Sequence, residues 1–240
     1  AVQLEYLRRN PAEAVILPRV EKKAVKPLTD EQVSKLVASA GNDGFGTLFK
    51  VVVFAGLRLG EALGLTWDCV DFSKQRLTID KQLQKRPLSE GGFVFASLKN
   101  DKVRGIAPAP YVMTLLREWQ KKQTEDRLLA GCEWTGWKNE KERKSALVFT
   151  NALGGHLHPQ TVYSHFKKLA ASVGAPEARV HDLRHTFAVL SLQNGDDVKT
   201  VQGNMGHATA AFTLDVYGHV SERMKEDSAN RMQRYIDDME

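Results

Sequence analysis

Cysteine is nearly missing, with only Cys69 and Cys132 in 240 residues. The two are far apart and match no metal-ligand or redox spacing, which argues against a disulfide scaffold and points to a reduced compartment with both thiols as packing residues. Long apolar runs are missing as well. No stretch approaches the roughly eighteen uninterrupted apolar residues of a membrane span, and no charged-then-apolar segment opens the chain. A soluble cytoplasmic protein is expected. There is no cluster of carboxylates suited to Mg²⁺. An initiator methionine is also lacking: the chain opens at Ala1 and enters a helical pattern midway at Leu4 and Leu7, as a processed or truncated product would.

An apolar content of 42% is enough for a real core, and the length suits one large domain or one domain plus a fragment. The formal charge is +5 and the pI about 9.1. Such a balance permits a polyanionic partner without requiring one.

Residues 1–27 hold a short helical remnant, three prolines and the basic run Arg19, Lys22, Lys23, Lys26. They read as an extended linker, either solvated or lying along phosphates. Thr29-Asp30-Glu31-Gln32 is a capping box that starts a helix with Val33, Leu36, Val37 and Ala40 inward. Leu48 to Leu57 is apolar almost all round, as in a central buried helix. Directly after it, Gly56-Leu57-Arg58-Leu59-Gly60-Glu61 sets an arginine and a carboxylate in the most apolar part of the chain. At i, i+3 spacing they suit a structural ion pair or a functional site equally. Trp67, Val70 and Phe72 are expected to close this helical segment.

From Gln75 the period shifts toward two. Leu77 and Ile79, Leu83, Phe93 and Phe95, then Val103 and Ile106 predict short antiparallel strands. Between the last two, Ser97 to Arg104 reads as a hairpin whose tip carries Lys99 and Lys102, residues that most often serve only as edge charges. Pro110 suits a helix start, with Tyr111, Leu115, Leu116 and Trp119 inward. Residues 131–145 read as a polar surface excursion with two tryptophans. Leu147-Val148-Phe149 predicts a buried strand-like run, and Pro159 a helix with Val162, Phe166, Leu169 and Val173 inward. That leaves Gln160, Thr161, His165, Lys167 and Lys168 for solvent or phosphate. The next helix places His181 and Arg184 on one face. A short one follows, capped by Asp196 or Asp197, and delivers Gly206-His207 and, ten residues on, Tyr217. His181 and His185 could take zinc, but a third ligand is hard to find and a core hydrogen bond suits His185 better. Residues 222–240 are amphipathic through Met224, Met232 and Ile236.

Two arginines in apolar settings, a lysine, histidines and a tyrosine fit phosphoryl transfer without metal. Guanidinium forks compensate phosphate charge bidentately and do not titrate. A phenol with a free pKa of about 10 needs a base and cations nearby to act as a nucleophile, although an isolated tyrosine is more often an anchor.

Gly56-Leu57-Arg58-x-Gly-Glu61, the Lys99 segment, His181-x-x-Arg184, Gly206-His207 and Tyr217 occur in the order seen in tyrosine recombinases. The chain resembles the integrases of phages and conjugative transposons over roughly residues 28–219. The resemblance implies an α+β, mainly helical catalytic domain of the DNA breaking-rejoining fold with a small antiparallel sheet. It implies that 1–27 ends a truncated core-DNA-binding domain, that 28–219 is catalytic, and that the 220–240 helix docks on a neighbouring protomer or folds back on its own. Arg58, Arg184 and His207 would hold the scissile phosphate, His181 would assist proton transfer at the tyrosine, and Lys99, favoured over Lys102 by its place before the turn, would protonate the 5' oxygen. Tyr217 would form a 3'-phosphotyrosyl bond, so rejoining needs neither ATP, metal nor another cofactor. Glu61 would support the site. Met205 stands where the family often has Leu, a conservative change. Implied partners are a double-stranded DNA core site, four protomers on two duplexes (with a solution monomer compatible), and accessory DNA-bending or excision factors, all in the bacterial cytoplasm at the nucleoid. Type IB topoisomerase chemistry and an inactive DNA-binding regulator are the alternatives.

Overall fold

The structure is a computed structural model, and it describes residues 2, 6–10, 15, 26–98, 102–206 and 222–239. Most of the basic linker therefore lies outside the described residues, as do Lys99, His207 and Tyr217.

Helix α1 (Asp30–Ser39) starts where its capping box requires. Thr29 Oγ1 accepts from the Gln32 amide at 3.2 Å, and Gln32 Oε1 accepts from the Thr29 amide at 3.0 Å. Val33 and Leu36 are buried, Val37 and Ala40 half-buried. Helix α2 (Gly44–Ala55) is the central one, packed against the helices Pro110–Ala130, Pro159–Ser172 and Val180–Gln193. It has almost no polar face because it is covered on nearly every side. It ends at Gly56, whose φ of +66° is left-handed; a Cβ there would sit 2.4 Å from the Phe187 ring. This turn aims the Gly56 carbonyl inward and leads into the short α3 (Leu59–Leu63).

Trp67 and Val70 do not close a helix. Trp67–Cys69 is a 3₁₀ turn leading into strand β1 (Val70–Asp71), which pairs with β2 (Arg76–Ile79). Strands β3 (Gln82–Lys85) and β4 (Phe93–Ala96) form their own antiparallel pair, and β5 (Arg104–Ile106) pairs with β2. The expected single sheet is thus two, of orders β1-β2-β5 and β3-β4. The segment around Lys99 joins a strand of one to a strand of the other, so the ladders do not make it a simple hairpin. Val103 precedes β5 and is exposed. In β5 the period of two puts Arg104 and Ile106 on one face, opposite buried Ile79 and Leu77.

Helix α4 (Pro110–Ala130) begins at its proline. Leu115, Leu116 and Trp119 face inward as expected, but Tyr111 is exposed and Val112, Met113 and Gln123 take the remaining core positions. Gln123 is buried because its amide is fully used: it accepts from Trp67 Nε1 at 2.9 Å and donates to Thr150 Oγ1 at 3.0 Å and to the Val148 carbonyl at 3.1 Å. The 131–145 excursion is anchored, since Trp137 is buried edge-on to Trp134, with centroids 4.8 Å apart. Helix α5 (Glu140–Lys144) ends that excursion. Val148 and Phe149 are fully buried, held by one bridge between Thr66 and Leu147 and not by a regular strand. Cys69 is buried, whereas Cys132 is exposed and is not the packing residue expected.

Helix α6 (Pro159–Ser172) buries Val162 and Phe166, followed by Val173, and turns Gln160, Thr161, His165, Lys167 and Lys168 outward. Helix α7 (Val180–Gln193) is tied to the start of the domain by a buried bond from the Leu28 amide to Thr186 Oγ1, 2.9 Å. Helix α8 (Val198–Met205), capped by Asp197, packs against α7 and β5. A terminal helix spans Glu222–Asp237, and Met232 and Ile236 on it are exposed.

Candidate active site

Arg58 is the N-cap of α3, at the point where the chain leaves the left-handed Gly56 turn. Its backbone amide donates to Glu61 Oε2 at 2.9 Å, and its Nη1 to Glu61 Oε1 at 2.7 Å. The i, i+3 pair exists, yet it is one corner of something larger. Glu61, with a side chain 1% exposed, also receives a fork from Arg104: Nη2 to Oε2 at 2.6 Å and Nη1 to Oε1 at 3.1 Å. Arg184 Nη1 lies 4.0 Å from Oε2. One buried carboxylate therefore gathers guanidinium groups from α3, β5 and α7, and the cluster is net cationic. Burial alone would raise the Glu61 pKa; the Arg104 hydrogen bonds and charge, then the Arg58 amide and the Arg184 charge, reverse this and hold it below the usual carboxylate value.

The same arginines hold the C-terminal end of α8. Arg104 Nε donates to the Asn204 carbonyl at 2.9 Å, Arg184 Nη2 to that of Met205, and Arg58 Nη2 to that of Gly206 at 3.1 Å. Arg184 Nη1 donates in addition to the Gly56 carbonyl. The last carbonyls of a helix lack intrahelical donors and carry the negative end of its dipole, so three guanidinium groups are a natural match. Arg184 is 1% exposed, the largest of the fully buried side chains among the described residues. The Arg58 side chain is 27% exposed, so it is the one of the pair that opens toward solvent.

His181 and His185, one turn apart on α7, meet edge to face with centroids 4.6 Å apart. His181 is exposed and His185 buried. Partial desolvation, then the Arg184 charge, lowers the His181 pKa; burial, then His181, pulls that of His185 down from 6.5 to about 4. Both shifts favour the neutral ring, the form in which an imidazole can accept a proton. Among the described residues no group of three His, Cys, Asp or Glu side chains is placed to hold a metal.

Of the sequence-expected residues, Arg58, Glu61, His181 and Arg184 are brought together. Lys99, His207 and Tyr217 fall outside the described residues, and the chain enters His207 directly from Gly206, where the arginines converge. Arg104 was missed as a site residue. The available signal was its phase with Ile106: an inward-facing arginine in a short strand needs a buried partner.

The fold is that of a tyrosine recombinase catalytic domain. The sequence profile of the phage integrase family matches residues 26–224, and the chain belongs to that family. It is 25% identical over 97% of its length to a XerC-like tyrosine recombinase of Caldanaerobacter subterraneus subsp. tengcongensis, and 27% identical over 97% to the ICEBs1 integrase of Bacillus subtilis. In each case it spans 61% of the relative's length. Among solved structures, the Tn1549 transposon integrase in complex with transposon right-end DNA superposes with a TM-score of 0.73 at 19% identity, covering 97% of this chain and 74% of that one. No helix among the described residues is long and apolar enough to cross a membrane.

Proposed function

We propose that the chain is the catalytic part of a site-specific DNA recombinase that integrates or excises a mobile element. The observation that carries this is the meeting of Arg58 and Arg184, 126 positions apart in sequence, at the Met205–Gly206 carbonyls immediately before His207. In this reading the two guanidinium groups, with His207, hold the scissile phosphate and compensate its charge in the pentacoordinate state. The Tyr217 oxygen attacks phosphorus and its proton passes to neutral His181. The bond from phosphorus to the 5' oxygen breaks, and Lys99 protonates the leaving oxygen. The 3'-phosphotyrosyl bond conserves the energy of the broken ester, and a 5' hydroxyl later reverses the step.

Residues 1–27 are read as the end of a core-DNA-binding domain and 28–219 as the catalytic domain. The terminal helix is read as docking on a neighbouring protomer in a tetramer on double-stranded DNA, with Met232, Tyr235, Ile236 and Met239 as its apolar contacts; all four are exposed here. Relatives named as recombinases and integrases favour this over topoisomerase activity or a silent DNA-binding regulator. The test is incubation with a pool of nicked duplexes of randomised core sequence, with EDTA present. A denaturant-resistant protein–DNA adduct enriched for one core sequence is expected; sequence-specific binding without adduct would favour the regulator.

A further inference from the structure

We propose that Arg104 is a positioning residue, which fixes the Gly206 turn and the Glu61 carboxylate together and so sets the arginine frame. What that frame does chemically rests on the recombinase reading; what Arg104 does to it rests on geometry alone. The Arg104 side chain is 11% exposed, and its Nε, Nη1 and Nη2 all have protein acceptors: Asn204 O at 2.9 Å, Glu61 Oε1 at 3.1 Å and Glu61 Oε2 at 2.6 Å. All three guanidinium nitrogens are thus engaged within the protein. The group is a planar cross-brace between α3 and α8, carried on a strand whose register against Ile79 fixes its direction.

The brace also forms the wall beside Gly206. That residue has φ +64°, and a Cβ on it would lie 3.0 Å from Arg104 Nη1, 3.1 Å from Cζ and 3.2 Å from Cδ. The left-handed turn that sends the chain from α8 into His207 is thus packed directly on the Arg104 side chain. Because Asn204, Met205 and Gly206 each present a carbonyl to a different arginine, loosening Arg104 frees the first of three successive contacts. It also removes the two-pronged charge partner that keeps Glu61 oriented toward Arg58.

Arg104→Lys keeps the charge and most of the stem but cannot reach Glu61 and Asn204 at once. Hydrogen exchange of the variant is expected to rise about tenfold or more in peptides covering 201–206, with α2 and α6 peptides unchanged. Single-turnover adduct formation on the best duplex from the pool is expected to fall about tenfold to a hundredfold, with duplex affinity within about twofold of the parent. Faster exchange throughout the molecule would reduce Arg104 to a general packing residue and overturn the proposal. So would unchanged exchange at 201–206, or adduct formation within twofold of the parent. Should the parent give no adduct on any duplex, the recombinase reading fails while the exchange result still decides the role of Arg104. If Arg104→Lys does not fold, Arg104→Gln, which keeps a donor for Asn204 without a charge, carries the same readouts.

Discussion

Glu61 shows how much one buried side chain can organise. Removing it leaves the Arg104 fork and Arg58 Nη1 without their acceptor in a site almost closed to water. Breaking a buried ion pair from one side costs about 3–5 kcal/mol, so Glu61→Ala is expected to lose that much stability in denaturant titration. Arg184→Ala should cost about a hundredfold or more in adduct formation, by analogy with lost anion-hole donors; full activity in a single-turnover assay would remove Arg184 from the chemistry. His185 makes a separate prediction. Its folded pKa is about 4 against 6.5 in the open chain, so the unfolded state takes up the proton first. Its contribution is complete above about pH 6.5 and is lost as pH falls toward 4, so the melting temperature should drop across that window and His185→Gln should flatten the decline. Of these couplings, the local sequence made legible only those within one helical turn, Arg58 with Glu61 and His181 with His185. The contacts of Arg104 lie 43 and 100 positions away, and no local pattern encodes partners at that distance.

Among the elements, what local chemistry decides was legible. Thr29, Pro110 and Asp197 start their helices because each satisfies or avoids an orphan amide within one turn. Strand pairing was not, because alternation shows which face is buried and says nothing of which neighbour takes the ladder. Hence β4 and β5, adjacent in sequence, belong to different sheets. The turn after α8 carries its own prediction. Gly206→Ala introduces a side chain in a left-handed conformation against Arg104 and is expected to destabilise by about 1 kcal/mol or more. Adduct formation should suffer more than that loss explains, measured by comparing denaturation midpoint with cleavage rate at saturating DNA.

For the whole molecule, the recombinase reading requires that a domain which gathers its arginines around one carboxylate also meet a polyanion. The outward face of α6 carries Lys167 and Lys168. If Lys168 lies on a phosphate, Lys168→Ala should lower the slope of log affinity against log salt by about 1, with no change of sequence preference. A chain ending at residue 221 should still bind a single duplex but form fewer multi-protomer complexes in mass photometry if the terminal helix docks in trans; equal assembly would place that helix on its own domain. The order of the five motifs made the family legible, since the chemistry needs every member in one place. The Arg104 brace was not, because it ties a strand to two elements distant in sequence.

The most direct measurement is the chemical identity of the protein–DNA link on a nicked duplex. Peptide mapping of the trapped adduct by mass spectrometry should find a 3'-phosphate ester on the Tyr217 oxygen, and Tyr217→Phe should yield none. An adduct that persists in Tyr217→Phe, or that maps to another side chain, would contradict it.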